Sequence, residues 1–414
     1  MAQSGVEAAN TGLVIVGGGQ AAASCAARYR AKGGAGPVTI YCAEPVPPYQ
    51  RPPLSKAYLL GDMPLSRLLL RPESWYDEQA ITLHLGTRIE AIDTDARTIT
   101  TQAGDQAGYG HLVLATGSAP RQLPAAIGGD LAGVHVVRDL ADVDRMAGGL
   151  REGARAVIIG GGYIGLEAAA VCAKLGLDVT VLEAAPRILG RVAAAETADV
   201  IRDLHVGNGV TVREGCQVAQ LRGADGHVTG VTLASGETLE AEVVIVGIGI
   251  APETALAEAA GIAVDNGIAT DSHGRTSAPH VWSAGDCASF PFRGAQMRLE
   301  SVQNAIDQAE CVADNILGAD TPYDPKPWFW SDQFDMKLQI AGLNAGHDSL
   351  HVRAGEGLTR SHWYYRDGRL ISVDAINDPR AYMVGKRLIE GGRTPDPAQV
   401  VDPSTDLKAL MKTV

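Results

Sequence analysis

The stretch RAVIIGGGYIGLEAAAVCAKLGLDVTVLE, residues 155–183, decides the fold of this chain. An apolar run leads into Gly160, Gly162 and Gly165 in G-x-G-x-x-G spacing, a helical segment follows, and a second apolar run ends at Glu183. In this fingerprint the first glycine permits a tight turn, the second lets the backbone approach a pyrophosphate, and the third allows close helix-to-strand contact. The stretch therefore predicts a strand–helix–strand unit that binds a dinucleotide at the N-terminus of its helix.

The acidic residue that ends this stretch bears on which dinucleotide binds. Glu183 lies where such units carry an acid that accepts hydrogen bonds from a ribose diol. The same carboxylate would repel a 2′-phosphate, so NADH is favoured over NADPH. Arg187 and Arg191 lie nearby and leave NADPH open, because an arginine can hold a phosphate.

The N-terminal region repeats the pattern. VIVGGGQAA, residues 14–22, places Gly17, Gly19 and Ala22 at the three fingerprint positions, and the fingerprint tolerates alanine at the third. A later apolar run, residues 38–41, precedes Glu44. Two such units predict two dinucleotide sites, most economically a flavin dinucleotide at the first and a nicotinamide dinucleotide at the second.

Composition and charge exclude several classes of protein. A net charge of -13 argues against a general nucleic-acid binder. The first twelve residues lack the basic start and apolar core of a signal peptide, and the longest apolar run, residues 243–251, is too short to span a bilayer. We therefore expect a cytoplasmic protein with no nucleic-acid and no membrane partner.

The cysteines carry no recognisable redox or metal motif. No C-x-x-C and no closely spaced pair occurs, so we predict that most of the cysteines are small buried residues. We also predict no metal site and no redox disulfide of the kind that many flavin and nicotinamide enzymes use. The six are Cys25, Cys42, Cys172, Cys216, Cys287 and Cys311.

The chain is predicted to leave the first nucleotide-binding domain and return to it. The strands at residues 111–115 and 242–246 each end in a glycine-containing segment typical of such a crossing. This predicts a discontinuous first domain, residues 1–119 and 248–325, around a second domain, residues 120–247. Aromatic, short-stranded composition predicts a C-terminal α+β domain over residues 326–414. Alternating residues 81–101 predict a small β-meander.

Some polar residues allow both a structural and a functional interpretation. Lys56, in a proline-rich stretch, is by position alone a solvated side chain that begins a short helix. Asp286, beyond a strand, could accept hydrogen bonds from a sugar-alcohol chain or could simply form the turn. Ser301 is predicted to be the N-cap of a helix. If that helix points at a flavin ring, its dipole would favour the negative charge of the reduced ring; otherwise it is an ordinary surface helix.

Six motifs spread over nearly the whole chain carry a resemblance. They are VIVGGGQAA (14–22), RPPLSKAYL (51–59), LATGSAPRQLP (114–124), IIGGGYIGLEAAA (158–170), HVWSAGDCA (280–288) and PWFWSDQ (327–333). With them the chain resembles the FAD-dependent, NADH-oxidising ferredoxin reductases of bacterial cytochrome P450 and Rieske oxygenase systems, the putidaredoxin reductase type. The resemblance implies an α/β fold of two Rossmann-like dinucleotide-binding domains, as in glutathione-reductase-like flavoproteins, plus a C-terminal α+β domain.

The resemblance also implies cofactors and site residues. FAD and NADH are the implied cofactors, and the candidate catalytic residues are Lys56 and Glu167, paired beside the flavin ring, and Trp330, lying against it. Glu44 would hold the FAD ribose, and Arg51 and Asp286 the pyrophosphate and ribityl region. The other candidate FAD residues are Gly17, Gly19, Ala22, Ala115, Thr116, Gly117, Arg121, Gly285, Ser301 and, through its backbone at the pyrimidine edge, Val302. The candidate NADH residues are Gly160, Gly162, Tyr163, Ile164, Gly165, Glu183, Arg191 and Gly249.

The implied reaction is electron transfer from NADH through FAD to a small [2Fe-2S] ferredoxin, which supplies a cytochrome P450 or Rieske oxygenase. Because such ferredoxins are usually acidic, a basic patch is expected. The alternative for each candidate is an ordinary solvated charge. The candidates are Lys337, Arg380, Lys386, Arg387, Lys408 and Lys412.

Several alternatives remain at the level of the sequence. The nearest is a rubredoxin reductase, which differs in its acceptor. NADH oxidases, peroxidases and disulfide reductases use a flavin-facing cysteine where this chain has Pro-Pro-Leu-Ser-Lys. A membrane quinone reductase would need an apolar anchor that residues 407–411 are too short to supply. A flavin-binding protein of the apoptosis-inducing-factor kind shares the Lys and Glu pair and would differ in slow turnover.

Overall fold

The computed structural model describes residues 12–411. The N-terminal segment considered above for a signal peptide, up to residue 11, and Lys412 lie outside the described residues. The chain divides into two compact units. The first comprises the chain up to Arg51, Pro64–Ala119 and Ala251–Pro325, and the second comprises Pro52–Met63, Pro120–Ile250 and the chain from Lys326 onward.

The first unit is built on a five-stranded parallel sheet. Its strand order is Val281–Ser283, His111–Leu114, Leu13–Val16, Val38–Tyr41 and Ile81–His84. The central strands are apolar because side chains on both faces of a parallel sheet are buried. The helices Gln20–Ala31 and Val302–Ile316 pack on the sheet through Ala22, Ala26 and Ala309, all of them fully buried.

Smaller elements complete the first unit. They are the antiparallel meander Ile89–Asp93, Thr98–Thr101 and Gln106–Gly108, the strands Ile268–Ala269, Ala288–Phe292 and Ala295–Met297, and the helices Leu65–Leu68, Glu73–Glu78 and Ala255–Ala259. The prediction of one meander over residues 81–101 was wrong for its first strand. Ile81–His84 instead pairs in parallel with Val38–Tyr41 at the edge of the main sheet, where an edge position exposes one side of the strand and produces the alternating pattern.

The second unit contains another five-stranded parallel sheet. Its order is Thr211–Arg213, Asp178–Leu182, Arg155–Ile159, Val243–Val246 and Val134–His135. The strand–helix–strand arrangement predicted for residues 155–183 is confirmed, with Tyr163–Lys174 as the helix. The other elements of this region are the helices Leu140–Ala147 and Ala195–Gly207, the 3-10 helices Pro52–Ser55 and Ala125–Ile127, and the antiparallel strands Val218–Ala224, His227–Leu233 and Thr238–Glu240. Lys56 directly follows the Pro52–Ser55 helix instead of beginning a helix.

The C-terminal part of the second unit is a five-stranded antiparallel sheet covered by helices. The sheet order is Trp328–Gln333, Met336–Gly342, Arg369–Ile376, Arg360–Arg366 and Ser349–Ala354, and the helices are Pro379–Glu390, Pro397–Val401 and Leu407–Leu410. Asp367 and Gly368 form a tight hairpin turn, since both adopt a positive φ. Asp378 caps the Pro379–Glu390 helix by accepting from the Ala381 amide.

Two short strands, Ser118–Pro120 and Ile250–Pro252, lie where the chain passes from one unit to the other. The α/β class with an added α+β region, predicted from the sequence, is therefore confirmed. Among the helices of residues 12–411, none is long and apolar enough to cross a membrane.

Candidate functional site

The fingerprint in the second unit has the geometry of a dinucleotide turn. Gly160 has a φ of 114°, and a Cβ there would lie 2.3 Å from the carbonyl oxygen of Gly247. A Cβ at Gly165 would lie 2.2 Å from the carbonyl oxygen of Gly160, so helix and strand touch through bare backbone. A Cβ at Gly162 would meet open space. The open face at the second glycine, at the N-terminus of the helix, fits a bound pyrophosphate.

The first unit carries the same arrangement. Gly17 has a φ of 134°, and a Cβ there would lie 2.1 Å from the carbonyl oxygen of Ala115. Gly19 faces open space, and Ala22 at the third position is fully buried in the helix–sheet contact. Both fingerprints therefore combine a closed first and third position with an open second one, which fits two dinucleotides.

The different surroundings of Gly162 and Gly165 give a matched pair of substitutions. We expect Gly162→Ala to fold with a free energy of unfolding within about 0.5 kcal/mol of the wild type, and to bind NADH at least roughly tenfold more weakly, because the methyl group occupies the open face. Gly165→Ala must displace backbone, and overpacking of this kind costs about 3 kcal/mol. Urea unfolding and NADH titration measure the two effects. A Gly162→Ala variant that binds NADH normally would refute the assignment.

Glu183 lies at the end of the Asp178–Leu182 strand with its carboxylate fixed by backbone amides. Its Oε2 accepts from the Gly161 amide at 2.7 Å, and its Oε1 accepts from the Ala185 amide at 2.7 Å. Arg187 donates instead to the carbonyl of Ala193 at 3.0 Å. The second arginine of this segment, Arg191, has its Nη2 3.7 Å from the position of a Cβ at Gly249.

A second carboxylate, absent from the sequence prediction, lies on the neighbouring strand end. Leu182 is paired in parallel with Arg213, so Glu183 and Glu214 follow at adjacent strand ends. Glu214 Oε1 accepts from the Ile188 amide at 2.8 Å and so holds the loop that follows Glu183. The register of adjacent parallel strands would have revealed it, but pairing of residues 178–182 with 211–213 is not readable from one sequence.

Glu44, Tyr49 and Arg51 form a polar cluster in the first unit. Arg51 Nη2 lies 2.5 Å from Glu44 Oε1, and the Tyr49 hydroxyl donates to Glu44 Oε2 at 2.5 Å. The Arg51 guanidinium also lies over the Tyr49 ring at 5.1 Å. The two residues predicted to hold different parts of FAD are thus joined as an ion pair beside the strand end that follows the first fingerprint, and the sequence prediction missed Tyr49.

Lys56 and Glu167 form the buried ion pair that the family resemblance implied. Lys56 Nζ lies 2.6 Å from Glu167 Oε2, and the two side chains are 19% and 2% exposed. The carboxylate also accepts from Ser55 Oγ at 2.7 Å on Oε2 and from Ser331 Oγ at 2.7 Å on Oε1. Three donors therefore compensate the buried charge. Ser55 and Ser331 were not predicted.

The remaining candidate FAD residues cluster around the sheet of the first unit. Asp286 accepts from Ser118 Oγ at 3.0 Å, and the amide of Gly285 donates to Gln308 at 2.9 Å. Ser301 is the N-cap predicted for the Val302–Ile316 helix, because its Oγ accepts from the Asn304 amide at 3.1 Å.

Near the two places where the chain passes from one unit to the other, candidate cofactor residues form hydrogen bonds with the backbone. Thr116 Oγ1 donates to the carbonyl of Glu253 at 2.7 Å, and Gly117 has a φ of 74°. The Arg121 amide donates to the carbonyl of Gly249 at 2.9 Å in the second unit. Val302 is the first residue of its helix, which leaves its amide free of an intrahelical acceptor.

An aromatic side chain of the Trp328–Gln333 strand lies against the start of the Tyr163–Lys174 helix. The Tyr163 ring lies 4.9 Å from the Phe329 ring, and Trp330, half-buried, lies 5.5 Å from Trp328. The Tyr163 hydroxyl is buried without a hydrogen-bond partner among the described residues. Ile164, in contrast, is 46% exposed although it opens an otherwise apolar helix. An exposed apolar side chain at this point fits contact with a ring of a bound ligand.

All six cysteines are free thiols, and four of them are buried. Cys42 lies 3.0 Å from where a Cβ at Gly18 would be. Burial and the nearby Glu44 raise the pKa of its thiol to about 12, so it stays protonated. Over residues 12–411, no group of three or more His, Cys, Asp and Glu side chains is placed to hold a metal ion.

Comparisons with known proteins cover nearly the whole chain. A family model described as pyridine nucleotide-disulphide oxidoreductase matches residues 11–309, and one described as reductase C-terminal matches residues 328–411. The chain is 45% identical over 405 residues to a ferredoxin–NAD(P)(+) reductase of Sphingomonas sp, covering 96% of this chain and 97% of that protein. It is 38% identical over 371 residues to a rubredoxin–NAD(+) reductase of Pseudomonas putida, covering 89% and 96%.

A solved structure shows the same fold. The reductase in the covalent putidaredoxin reductase–putidaredoxin complex superposes with a TM-score of 0.94 at 38% identity, covering 98% of this chain and 99% of that chain. With two dinucleotide-shaped turns, no paired cysteines among the described residues and these relatives, the chain belongs to the pyridine nucleotide-disulphide oxidoreductase family, as an FAD- and NAD(H)-dependent reductase of the putidaredoxin reductase type.

Proposed function

We propose that this protein transfers electrons from NADH through FAD to a small acidic [2Fe-2S] ferredoxin that supplies a cytochrome P450 or Rieske oxygenase. The observation that carries the proposal is the buried Lys56–Glu167 pair, because Glu167 lies on the same helix as the second fingerprint. One helix thus binds a dinucleotide at its N-terminus and fixes a lysine ammonium that can face a flavin ring.

The second fingerprint holds NADH in this scheme. The open backbone at Gly162 and the helix N-terminus bind the pyrophosphate. Glu183 binds the adenosine ribose diol, and Ile164 and Tyr163 contact the nicotinamide half. Arg191 and Gly249 line the same site. Because hydride transfer depends mainly on the relative position of two rings, these residues orient the substrate and need not exchange protons.

The first fingerprint holds FAD. The open backbone at Gly19 binds the pyrophosphate, Glu44 the ribose, and Arg51 and Asp286 the pyrophosphate and ribityl region. When bound, FAD supplies the ability to accept two electrons together and to release them one at a time. Val302 would meet the pyrimidine edge through its amide, and the helix that Ser301 caps would favour negative charge there. Trp330 would lie against the ring and exclude water.

The Lys56–Glu167 pair would tune the edge of the flavin ring. The ammonium would place a positive charge beside the ring, and the carboxylate fixes the ammonium in position. The cysteines also favour a ferredoxin reductase over a disulfide reductase or peroxidase. Such enzymes need a nucleophilic thiolate, and the Cys42 thiol stays protonated.

Three domains are proposed within this scheme: an FAD domain of residues 1–119 and 248–325, an NADH domain of residues 120–247, and a C-terminal domain of residues 326–414. The two family matches support the last boundary, because one ends at residue 309 and the other begins at residue 328. A cytoplasmic location is proposed as well, supported by six free cysteines, which are typical of a reducing compartment.

The acidic ferredoxin is expected to dock on basic side chains despite the net charge of -13. Among the candidates, the exposed side chains are Lys337, Arg380, Arg387 and Lys408. Lys386 is paired with Glu390 at 2.8 Å, which reduces its availability to a partner.

A rubredoxin is the second candidate acceptor, favoured by the similarity to a rubredoxin reductase. The test is NADH-dependent reduction of cytochrome c by the FAD-loaded protein, alone and with added [2Fe-2S] ferredoxin or rubredoxin. We expect a flavin absorption spectrum in the purified protein and stimulation by ferredoxin. Stimulation by rubredoxin alone would replace the proposed acceptor, and no stimulation by any ferredoxin or rubredoxin would refute the function.

A further inference from the structure

Glu167 ends a chain of buried hydrogen bonds that the proposed reaction does not use. Its Oε1 accepts from Ser331 Oγ at 2.7 Å, Ser331 Oγ lies 3.0 Å from Gln333 Nε2, and Gln333 Oε1 lies 2.8 Å from His205 Nε2. All four side chains are at most 2% exposed. We call Ser331, Gln333 and His205 the Glu167 relay.

The donor and acceptor roles within the relay follow from its carboxylate end. An ionised carboxylate only accepts, so the Ser331 hydroxyl must donate its hydrogen to Glu167. Ser331 then has only lone pairs left, and Gln333 must present its NH₂ to it. The Gln333 carbonyl oxygen therefore faces His205, whose Nε2 must carry the hydrogen. Every hydrogen bond in the relay thus points towards Glu167.

The far end of the relay is a neutral histidine held by packing. His205 lies in the last turn of the Ala195–Gly207 helix, with its ring 5.1 Å from Phe334 in an edge-on arrangement. Burial lowers the pKa of His205, although its bond to Gln333 opposes that shift. With hydrogen on Nε2, the neutral ring leaves Nδ1 as an acceptor, and this atom has no partner among the described residues.

The strand Trp328–Gln333 explains why these residues converge. Ser331 and Gln333 are two positions apart, so they project from the same face, which is the buried one. Polar side chains on that face would be costly without partners. Each of them instead has a partner contributed by a helix of the second unit.

We propose that Ser331, Gln333 and His205 are positioning residues for the reaction: they stabilise the ionised Glu167, fix the orientation of its carboxylate, and thereby set the charge that the Lys56–Glu167 pair presents to the flavin. This inference rests on the proposed function, in which that pair faces the ring. Losing the relay leaves the Glu167 charge less compensated, which disfavours the negative charge of the reduced flavin. The reduction equilibrium should therefore shift towards oxidised flavin.

The test measures the reduction potential of the FAD-loaded protein. Gln333→Met breaks the relay with a side chain of similar length, and Ser331→Ala removes the donor to Oε1 with a smaller change. We expect each to lower the equilibrium constant for flavin reduction about tenfold, equivalent to about 30 mV for a two-electron couple. Ser331→Thr, which keeps a hydroxyl, should restore most of the wild-type potential.

Tyr364→Phe is the matched control. Tyr364 is also buried in the C-terminal sheet, and its hydroxyl donates to the buried Asp374 at 2.5 Å, in a network with Thr197 that does not include Glu167. The Tyr364→Phe substitution removes a comparable buried hydrogen bond and should leave the reduction potential unchanged. A wild-type potential in both relay variants, or an equal shift in Tyr364→Phe, would overturn the inference.

A second readout is independent of the flavin. Nitrogen-15 NMR of histidine-labelled protein without FAD should show His205 as a neutral ring protonated at Nε2, identified by the signal lost in His205→Gln. In Gln333→Met, the hydrogen of His205 should be found on both ring nitrogens, because the acceptor for Nε2 is lost. A ring protonated at Nδ1 would contradict the relay itself. A protein that shows the expected tautomer but no NADH-dependent flavin reduction would refute the proposed function and leave the relay established as structure only.

Discussion

Replacing Lys56 by methionine is expected to destabilise the folded protein by about 3–5 kcal/mol, because it leaves the Glu167 carboxylate buried without a cation. Glu167 is 2% exposed and keeps only the hydroxyl donors Ser55 and Ser331. Glu167→Gln should cost less, about 1–2 kcal/mol, because Lys56 is 19% exposed and its ammonium can recruit water.

The double variant Lys56→Met/Glu167→Gln distinguishes a coupled pair from two independent losses. It should cost about 1–2 kcal/mol, well below the sum of the single variants, because no unpaired charge remains. Lys386→Met is the matched control, since Lys386 and Glu390 form a helical pair whose side chains are 27% and 30% exposed. Its expected cost is about 0.5 kcal/mol.

The measurement is urea unfolding at about pH 7 with excess FAD, together with the FAD dissociation constant of each variant from a flavin fluorescence titration. A tenfold weaker dissociation constant lowers the measured stability by about 1.4 kcal/mol at saturating FAD, so subtracting this contribution leaves the change in stability of the protein itself. Additive costs of the two single variants would show that the pair contributes no coupling energy.

The sequence predicted the parallel sheets well because their strands are buried on both faces. The predicted strands at residues 111–115 and 242–246 agree to within one residue with the observed His111–Leu114 and Val243–Val246. The error at Ile81–His84 has a physical cause. An edge strand alternates like a meander strand, and its parallel partner Val38–Tyr41 is set by non-local pairing that no local pattern contains.

In the candidate site, too, the local features were predicted from the sequence and the contacts between distant residues were not. The fingerprints are local, and each glycine has the steric reason that its spacing predicted. The Lys56–Glu167 pair joins residues 111 positions apart, and Lys56 taken alone indicated only a solvated side chain. Family resemblance supplied that pair but not the Glu167 relay. A local signal existed, since two polar residues spaced by two in an aromatic strand, Ser331 and Gln333, indicate a polar stripe on one face.

Glu183→Ala is expected to lower the preference for NADH over NADPH, expressed as the ratio of kcat/KM values, by about 100-fold. Unit charges about 5 Å apart repel by about 3 kcal/mol at an effective dielectric constant of about 20, which corresponds to roughly two decades. The loss of the diol acceptor lowers the rate with NADH, and the loss of the charge raises the rate with NADPH.

Glu214→Gln tests whether the second carboxylate adds to this discrimination. Glutamine keeps the acceptor for the Ile188 amide, so the loop after Glu183 is retained and only the charge is lost. We expect the preference for NADH over NADPH to fall by about threefold to tenfold, which is less than in Glu183→Ala. The reason is that Glu214 is one strand further from the fingerprint and is 21% exposed.

Arg187→Ala is the control for a phosphate-binding arginine. Because the Arg187 guanidinium donates to the Ala193 carbonyl, it should leave the cofactor preference unchanged. A selective loss of activity with NADPH in Arg187→Ala would instead show that this arginine turns to the 2′-phosphate. Unchanged preference in Glu183→Ala would mean that the strand-end carboxylate does not meet the ribose, which would refute the role assigned to Glu183.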